Sequence, residues 1–226
     1  IHQDQKGFVD GRYMGEVTRT IYDAIDDAHT HRKKGLLIAI DFEKAFDSVG
    51  FDFIKNVIKI AGFGNRLRRW IDILLNDFKS RVNHVGNLLR EILLGRGARQ
   101  GDPIATTLFV IAIEVLLIRI RTDRDIVPYQ FFAGMGQKPI ETKVDGYCDD
   151  LTLILPRIER AVRAAMKAVE SFAPISGLKI NKDKTQVLKI GYKAENDAEI
   201  CGDLGLTYVK QLKILGVTFT TNPEDC

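Results

Sequence analysis

Hydrophobic and polar positions alternate along this chain with two periods, and the change of period divides it into elements. Val17, Ile21, Ala24, Ile25 and Ala28 fall on one helical face, with Arg19, Asp23 and Asp26 opposite. After the basic patch His31-Arg32-Lys33-Lys34 and Gly35, the unbroken apolar run 36–40 is closed by Asp41 and predicts a buried central strand. Ser48 is placed to cap a helix whose stripe is Ile54, Val57, Ile58 and Ala61. Beyond Gly62 and Gly64, a further amphipathic helix carries Leu67, Trp70, Ile71, Leu74, Leu75 and Phe78. Short strands are expected near 81–85 and 91–94.

Residues 95–101 read as a glycine-rich turn, with Asp102 as N-cap and Pro103 as the first residue of a helix reaching about Arg121. That helix is apolar nearly all round, which predicts burial. After a loop containing Pro128, Gly134, Gly136 and Pro139, the runs 144–148 and 151–155 flank the pair Asp149-Asp150 and predict a hairpin. A helix bearing Ile158, Ala161, Val162, Ala165, Val169 and Phe172 follows, then Leu178-Lys179-Ile180, residues 185–190 and the strand-like run 214–219. Helices and strands mix without strict alternation, so the expected class is α+β with an antiparallel sheet.

Composition adds bounds rather than identity. With 33 Lys and Arg against 30 Asp and Glu, the net charge of +3 neither demands nor excludes nucleic acid, which needs only a local basic groove. Cys148, Cys201 and Cys226 lie too far apart for a metal-ligand spacing or a disulfide framework, and a reducing, intracellular setting is expected. The longest apolar run, 104–120, is broken by Thr106, Thr107 and Glu114, so it predicts a buried helix and no membrane span. No signal peptide is visible. The first residue is Ile1 rather than Met, which leads us to expect a segment of a larger polyprotein.

The chemistry concentrates in two acidic sites. Asp41 ends a buried strand, and Asp149-Asp150 occupy a hairpin tip where Asn-Gly or Asp-Gly would be the relaxed choice. Adjacent like charges repel, and a hard divalent cation that takes several carboxylate oxygens offsets that repulsion. Set side by side, Asp41 and Asp149 could hold two Mg²⁺ ions roughly 3.5–4 Å apart, one activating an attacking hydroxyl and the other holding a triphosphate. Mn²⁺ is the expected substitute. For either site alone a strand cap or a solvated turn is the favoured reading; the strong apolar strands beside both weaken it.

Six segments then fall into a familiar order. Ala39-Ile40-Asp41-Phe42-Glu43-Lys44-Ala45-Phe46-Asp47 resembles the first catalytic motif of reverse transcriptases from non-LTR, LINE-type retrotransposons. Gln5-Lys6-Gly7-Phe8-Val9-Asp10-Gly11-Arg12 resembles their opening fingers motif, and Arg99-Gln100-Gly101-Asp102-Pro103 their loop-to-helix motif. Tyr147-Cys148-Asp149-Asp150 is similar to their Tyr-Ala-Asp-Asp box. Residues 177–185 resemble their Gly-Leu-x-x-Asn-x-x-Lys-Thr segment, and Leu215-Gly216-Val217 the turn that grips the primer. The matches cover essentially the whole chain.

The resemblance implies a right-hand polymerase, with fingers at about 1–35 and 62–100, palm for the remainder and no thumb. It implies RNA-directed DNA synthesis from a primer 3′-hydroxyl and dNTPs. Asp41, Asp149 and Asp150 match the metal carboxylates, and the carbonyl of Phe42 would complete one site. Phe46 matches the aromatic that excludes a ribose 2′-hydroxyl; by itself it reads equally as a core phenylalanine. Gln100 and Arg12 match residues near the nucleotide, and Lys184 matches a lysine proposed to protonate pyrophosphate, or is a surface lysine. Gly101, Arg99, Leu215 and Gly216 would meet template and primer. The clusters Arg66, Arg68, Arg69 and Arg119, Arg121, Arg124 are candidates for phosphate contact or simply solvated faces.

Two departures stand out: Cys148 replaces the usual alanine, and Ala105-Thr106-Thr107 replaces the commoner Ser-Pro-x helix start. The implied partners are RNA template, DNA primer, dNTPs and the rest of a polyprotein with thumb and endonuclease. The implied location is nucleus and cytoplasm, as a ribonucleoprotein. The alternative is a decayed or domesticated domain that binds RNA without catalysis. An isolated fragment lacking a thumb is expected to hold template–primer poorly.

Overall fold

The apolar run after Gly35 forms the strand at the centre of the sheet, and the other elements are arranged around it. A computed structural model describes residues 1–76, 79–97, 103–134, 136–192, 200 and 202–226. Its first half runs α1 (Met14–Thr30), β1 (Lys34–Ile40), α2 (Ala45–Ser48), α3 (Phe51–Ile60) and α4 (Asn65–Leu75). Four two-residue strands follow: β2 (Lys79–Ser80), β3 (Asn83–His84), β4 (Asn87–Leu88) and β5 (Ile92–Leu93). Then come α5 (Pro103–Thr122), β6 (Tyr129–Gln130), β7 (Glu141–Thr142), β8 (Val144–Tyr147), β9 (Asp150–Pro156), α6 (Glu159–Glu170) and α7 (Ala173–Ser176). The chain closes with β10 (Gln186–Gly191), β11 (Thr207–Val209), β12 (Gln211–Ile214) and β13 (Val217–Thr220).

The main sheet has the order β11-β10-β1-β9-β8. β1 runs antiparallel to both neighbours, with Leu37 opposite Ile154 on one side and Leu188 on the other. β10 and β11 pair in parallel, so the sheet is mixed rather than wholly antiparallel as expected. Leu36, Ile38 and Ile40 turn to the face covered by α5 and α6, where they meet Phe109, Ile113, Leu116, Val162 and Val169. Leu37 turns to the other face and packs with Ile21, Ile25 and Leu188. Burial on both faces is why β1 reads as a continuous apolar run with no alternation. Each such leucine or isoleucine taken fully out of water contributes about 1.5–3 kcal/mol.

The stripe of α1 is fully buried against one face of the sheet. Several expectations are corrected. On α4 only Ile71 is buried; Leu67, Trp70 and Leu74 are exposed, having no further layer among the described residues. Phe78 lies outside the described residues. Ser48 does not cap α3, whose N-cap is Gly50; it ends the short α2 and donates its hydroxyl to the Glu43 carbonyl at 2.9 Å. A helix of four residues is too short to show a period. The run 214–219 is not one strand: Leu215 (φ 50°) and Gly216 (φ 84°) turn the chain between β12 and β13, the two positive φ values of a type I′ hairpin. No described helix is long and apolar enough to cross a membrane.

Candidate active site

Asp41 follows the last residue of β1 and is held through its backbone by a distant segment. Its N–H donates to the hydroxyl of Thr185 at 3.3 Å, and its carbonyl accepts from Asn181 N–H at 2.8 Å. Phe42 bridges Ile180, and Glu43 N–H donates to the Lys179 carbonyl at 2.8 Å. The buried Thr185 hydroxyl itself donates to the Asn181 carbonyl at 2.8 Å. The segment 177–185 is therefore a brace for 41–48. Gly177 (φ 84°) passes so close to Ser48 that a methyl group there would overlap the Ser48 carbonyl oxygen. Lys184 is exposed on this brace, its N–H donating to Asn181 Oδ1 at 3.3 Å.

The second acidic site sits at the β8–β9 turn, with a correction of one residue. Tyr147 pairs with Asp150, so the two turn residues are Cys148 and Asp149, and Asp150 opens β9. Cys148 has φ 60°, a left-handed conformation at the first turn position that ordinarily selects glycine. The N-terminal motif lies against this turn, a placement the sequence reading did not foresee. Lys6 N–H donates to the Gly146 carbonyl at 2.8 Å, and Gly146 N–H donates to the Asp4 carbonyl at 2.9 Å, a parallel pairing along the edge of β8. The Lys6 ammonium pairs with the buried Asp145 at 2.8 Å. The fully buried Gln5 accepts from Cys148 N–H at 2.7 Å and from Gly7 N–H at 2.8 Å through Oε1, and donates from Nε2 to the Cys148 carbonyl at 3.0 Å.

The antiparallel pairing of β1 with β9 reaches Ile40 opposite Leu151, which brings Asp41 beside the turn. The field there is visibly crowded. Burial pushes the Asp149 carboxyl above the ordinary range, and the charge of Asp41 adds to the rise against hydrogen bonds that lower it. Burial also raises Asp150, followed by repulsion from Asp149 and Asp41. The Cys148 thiol is pushed up to about 12, by burial first and then by the neighbouring carboxylates. Hard oxygen donors that destabilise one another are the donor set a divalent cation relieves. Among the described residues, however, no three His, Cys, Asp or Glu side chains are gathered closely enough to form a cage as they stand. The β1–β9 pairing makes the carboxylates neighbours along the backbone.

The remaining sequence-predicted residues fall into three groups. Phe42 is buried, and Phe46 is half-buried with its ring stacked on Phe109 of α5 at 4.5 Å between centroids. Arg12 is committed to the backbone: its guanidinium donates to the carbonyls of Ile1, His2 and Gln5, which ties the N-terminal segment together. Leu215 and Gly216 form the β12–β13 turn. Arg99, Gln100 and Gly101 lie outside the described residues, as does Asp102. Of the basic clusters, Arg121 pairs with Asp4 and Glu114 and Arg68 with Asn65, while Arg66 and Arg69 are exposed.

A sheet backed by helices, with acidic residues from the central strand and an adjacent hairpin turn meeting at one end, defines the fingers-and-palm architecture of a right-hand polymerase. Residues 1–219 match the family model for reverse transcriptase (RNA-dependent DNA polymerase), and the chain belongs to that family. Among curated proteins it is 28% identical over 196 residues to the uncharacterized 149 kDa protein of transposon TX1 from Xenopus laevis, covering 84% of this chain and 14% of that protein. It is 25% identical over 195 residues to the Pol polyprotein of the type-1 retrotransposable element R2 from Popillia japonica, covering 84% of this chain and 26% of the relative. These similarities bear out the resemblance to LINE-type reverse transcriptases, and the chain spans about a quarter or less of these relatives. Among solved structures, apo telomerase from Candida tropicalis superposes with a TM-score of 0.68 over 98% of this chain and 40% of that one. At 11% identity this likeness establishes the fold alone.

Proposed function

We propose that this chain is the polymerase core of a LINE-type retrotransposon protein, extending a primer 3′-hydroxyl with dNTPs under the direction of an RNA template. The observation that carries this reading is geometric: the β1–β9 pairing, which reaches Ile40 opposite Leu151, sets Asp41 beside the turn that bears Asp149 and Asp150. Asp41, Asp149 and Asp150, with the Phe42 carbonyl, would hold two Mg²⁺ ions, with Mn²⁺ as substitute. Bound there, the ions would lower the pKa of the primer hydroxyl and neutralise charge on the phosphates.

The chain's own residues have separate duties in this reading. Phe46, backed by Phe109, presents a ring that excludes a ribose 2′-hydroxyl. Gln100 meets the nucleotide; Gly101, Arg99, Leu215 and Gly216 meet template and primer. Lys184, on the brace that holds Asp41, supplies a proton to the leaving pyrophosphate. Arg12 serves the site through the N-terminal segment it ties rather than by touching the triphosphate. Thumb and endonuclease belong to the longer polyprotein, which works as a ribonucleoprotein in nucleus and cytoplasm.

The test is primer extension on an RNA template by the chain joined to its downstream thumb. Asp149→Asn should lower extension by about 10³-fold or more, the scale of losing transition-state charge stabilisation. Undiminished extension by that variant would overturn the assignment. A wild-type protein that binds RNA yet never extends in Mg²⁺ or Mn²⁺ would instead establish an RNA-binding domain without catalysis.

A further inference from the structure

The turn that carries Asp149 contains a conformational problem that local sequence does not solve. Cys148 sits at φ 60°, a left-handed backbone conformation that residues with a Cβ rarely adopt. A two-residue hairpin loop of this kind ordinarily selects glycine at that position. The compensation comes from Gln5, far away in sequence and fully buried.

The side chain of Gln5 acts on Cys148 as a paired strand would. One amide oxygen accepts from the Cys148 N–H at 2.7 Å, and the amide nitrogen donates to the Cys148 carbonyl at 3.0 Å. Both peptide groups that flank the strained Cα are thereby gripped by one rigid planar group. The same oxygen accepts from Gly7 N–H at 2.8 Å, which locks the amide orientation. Gly7 itself lies so close that a methyl group there would overlap the Cys148 amide. Arg12 holds the Gln5 carbonyl at 2.6 Å, and the Lys6–Asp145 pair fixes the next residue against β8. The contacts of Gln5, Lys6 and Gly7 with Cys148, Asp145 and Gly146 thus hold the backbone of the turn, and none requires a nucleic acid.

We propose that Gln5 is a positioning residue for the polymerase site: its side-chain amide holds Cys148 in the left-handed conformation and so sets the direction in which Asp149 and Asp150 face Asp41. This inference rests on the polymerase reading above. It assigns to the N-terminal motif a task in metal-site geometry rather than in contact with the nucleotide.

The experiment uses the thumb-containing protein and primer extension with titrated MgCl₂. Gln5→Met keeps the volume and removes all three bonds. It should lower kcat at saturating dNTP by about 10- to 100-fold, the cost of misplacing a reacting group by roughly an ångström. It should also raise the half-saturating Mg²⁺ concentration several-fold, with template–primer Kd within about twofold of wild type. Cys148→Gly, which removes the conformational cost at residue 148, should restore much of the lost kcat in the Gln5→Met background. Wild-type kcat and Mg²⁺ dependence in Gln5→Met would overturn the inference. So would a loss with unchanged Mg²⁺ dependence that Cys148→Gly does not relieve. If Gln5→Met fails to fold, Gln5→Glu, which keeps the two accepted bonds and loses the donated one, is read by the same criteria. Asp149→Asn is assayed alongside: activity in that variant sinks the polymerase reading itself, whereas an inactive Asp149→Asn with a wild-type-like Gln5→Met sinks only the role of Gln5.

Discussion

The N–H of Asp41 donates to the hydroxyl of Thr185, 144 residues further along the chain. That hydroxyl donates its own hydrogen bond to the Asn181 carbonyl, and Asn181 in turn donates its N–H to the carbonyl of Asp41. The closed circuit fixes the point where β1 ends, and with it the direction of the first carboxylate.

Thr185→Val keeps the shape and removes both hydroxyl bonds. It should cost about 1–2 kcal/mol in urea unfolding, because it leaves the Asp41 N–H without its partner. Primer extension should fall further than this stability loss explains, since the affected group positions a carboxylate. Thr185→Ser should retain most of both properties. Equal activity of the Val and wild-type proteins at a temperature where both are folded would refute the brace.

Asp149→Asn should make the metal-free protein more stable at neutral pH while it abolishes extension. The sign follows from the direction of the shift. Asp149 and Asp150 have folded-state carboxyls above their ordinary value, so on raising the pH the unfolded chain loses these protons first. Stability from these groups is therefore greatest below about pH 4, the ordinary carboxylate range, and declines as the pH rises through their folded-state titration. Partial solvent access screens the repulsion, so the expected gain in EDTA at pH 7 is a Tm rise of about 2–4 °C. Mg²⁺ should raise the Tm of wild type and leave that of Asp149→Asn nearly unchanged.

Phe46→Val should admit ribonucleotides. The Phe46 ring stacks on Phe109, so its position is set by the core and a smaller side chain opens space instead of recruiting a neighbour. The ratio of kcat/KM for dNTP over the matching NTP should fall by about tenfold or more, since a steric exclusion worth at least ~1.4 kcal/mol is removed. An unchanged ratio would assign sugar selection to another residue.

Asp27→Asn should weaken the other face of the sheet. Burial works against the Asp27 carboxylate, but bonds from Lys33, the Phe132 N–H and the Tyr129 hydroxyl, the first and third at 2.8 and 2.7 Å, hold it below the ordinary range. This stability is present above about pH 4 and is lost as the pH falls through the depressed folded-state value. Removing the charge leaves Lys33 with a neutral partner beside the Gln130 carbonyl it also donates to, and should cost about 1–2 kcal/mol at pH 7. The difference from wild type should shrink toward acid pH in parallel urea titrations.

Much of the architecture was legible because burial imposes a period. The stripes on α1, α3 and α6 and the doubly buried β1 are local patterns and appear at the predicted places, except that Ala61 and Ile158 fall at the helix caps and are exposed. α4 misled for the same reason in reverse: its stripe is regular, but only Ile71 is fully covered and Leu75 partly so among the described residues. The one-residue error at the acidic turn has a physical cause as well. Asp-Asp looks like the loop, whereas Cys148 takes the first turn position at φ 60° only because Gln5 grips it, and no local signal announces such a grip.

The sequence alone therefore determined which residues are acidic, which helices and strands exist and which family motifs they carry, because propensity, period and motif are properties of neighbouring residues. Tertiary structure alone decided that residues 4–7 line the edge of β8, that the segment 177–185 braces Asp41, that Arg12 and Arg121 are tied within the protein, and that the turn begins at Cys148. Those outcomes depend on hydrogen bonds between backbone and side chains far apart in the chain, whose partners are chosen by three-dimensional packing and leave no periodic mark.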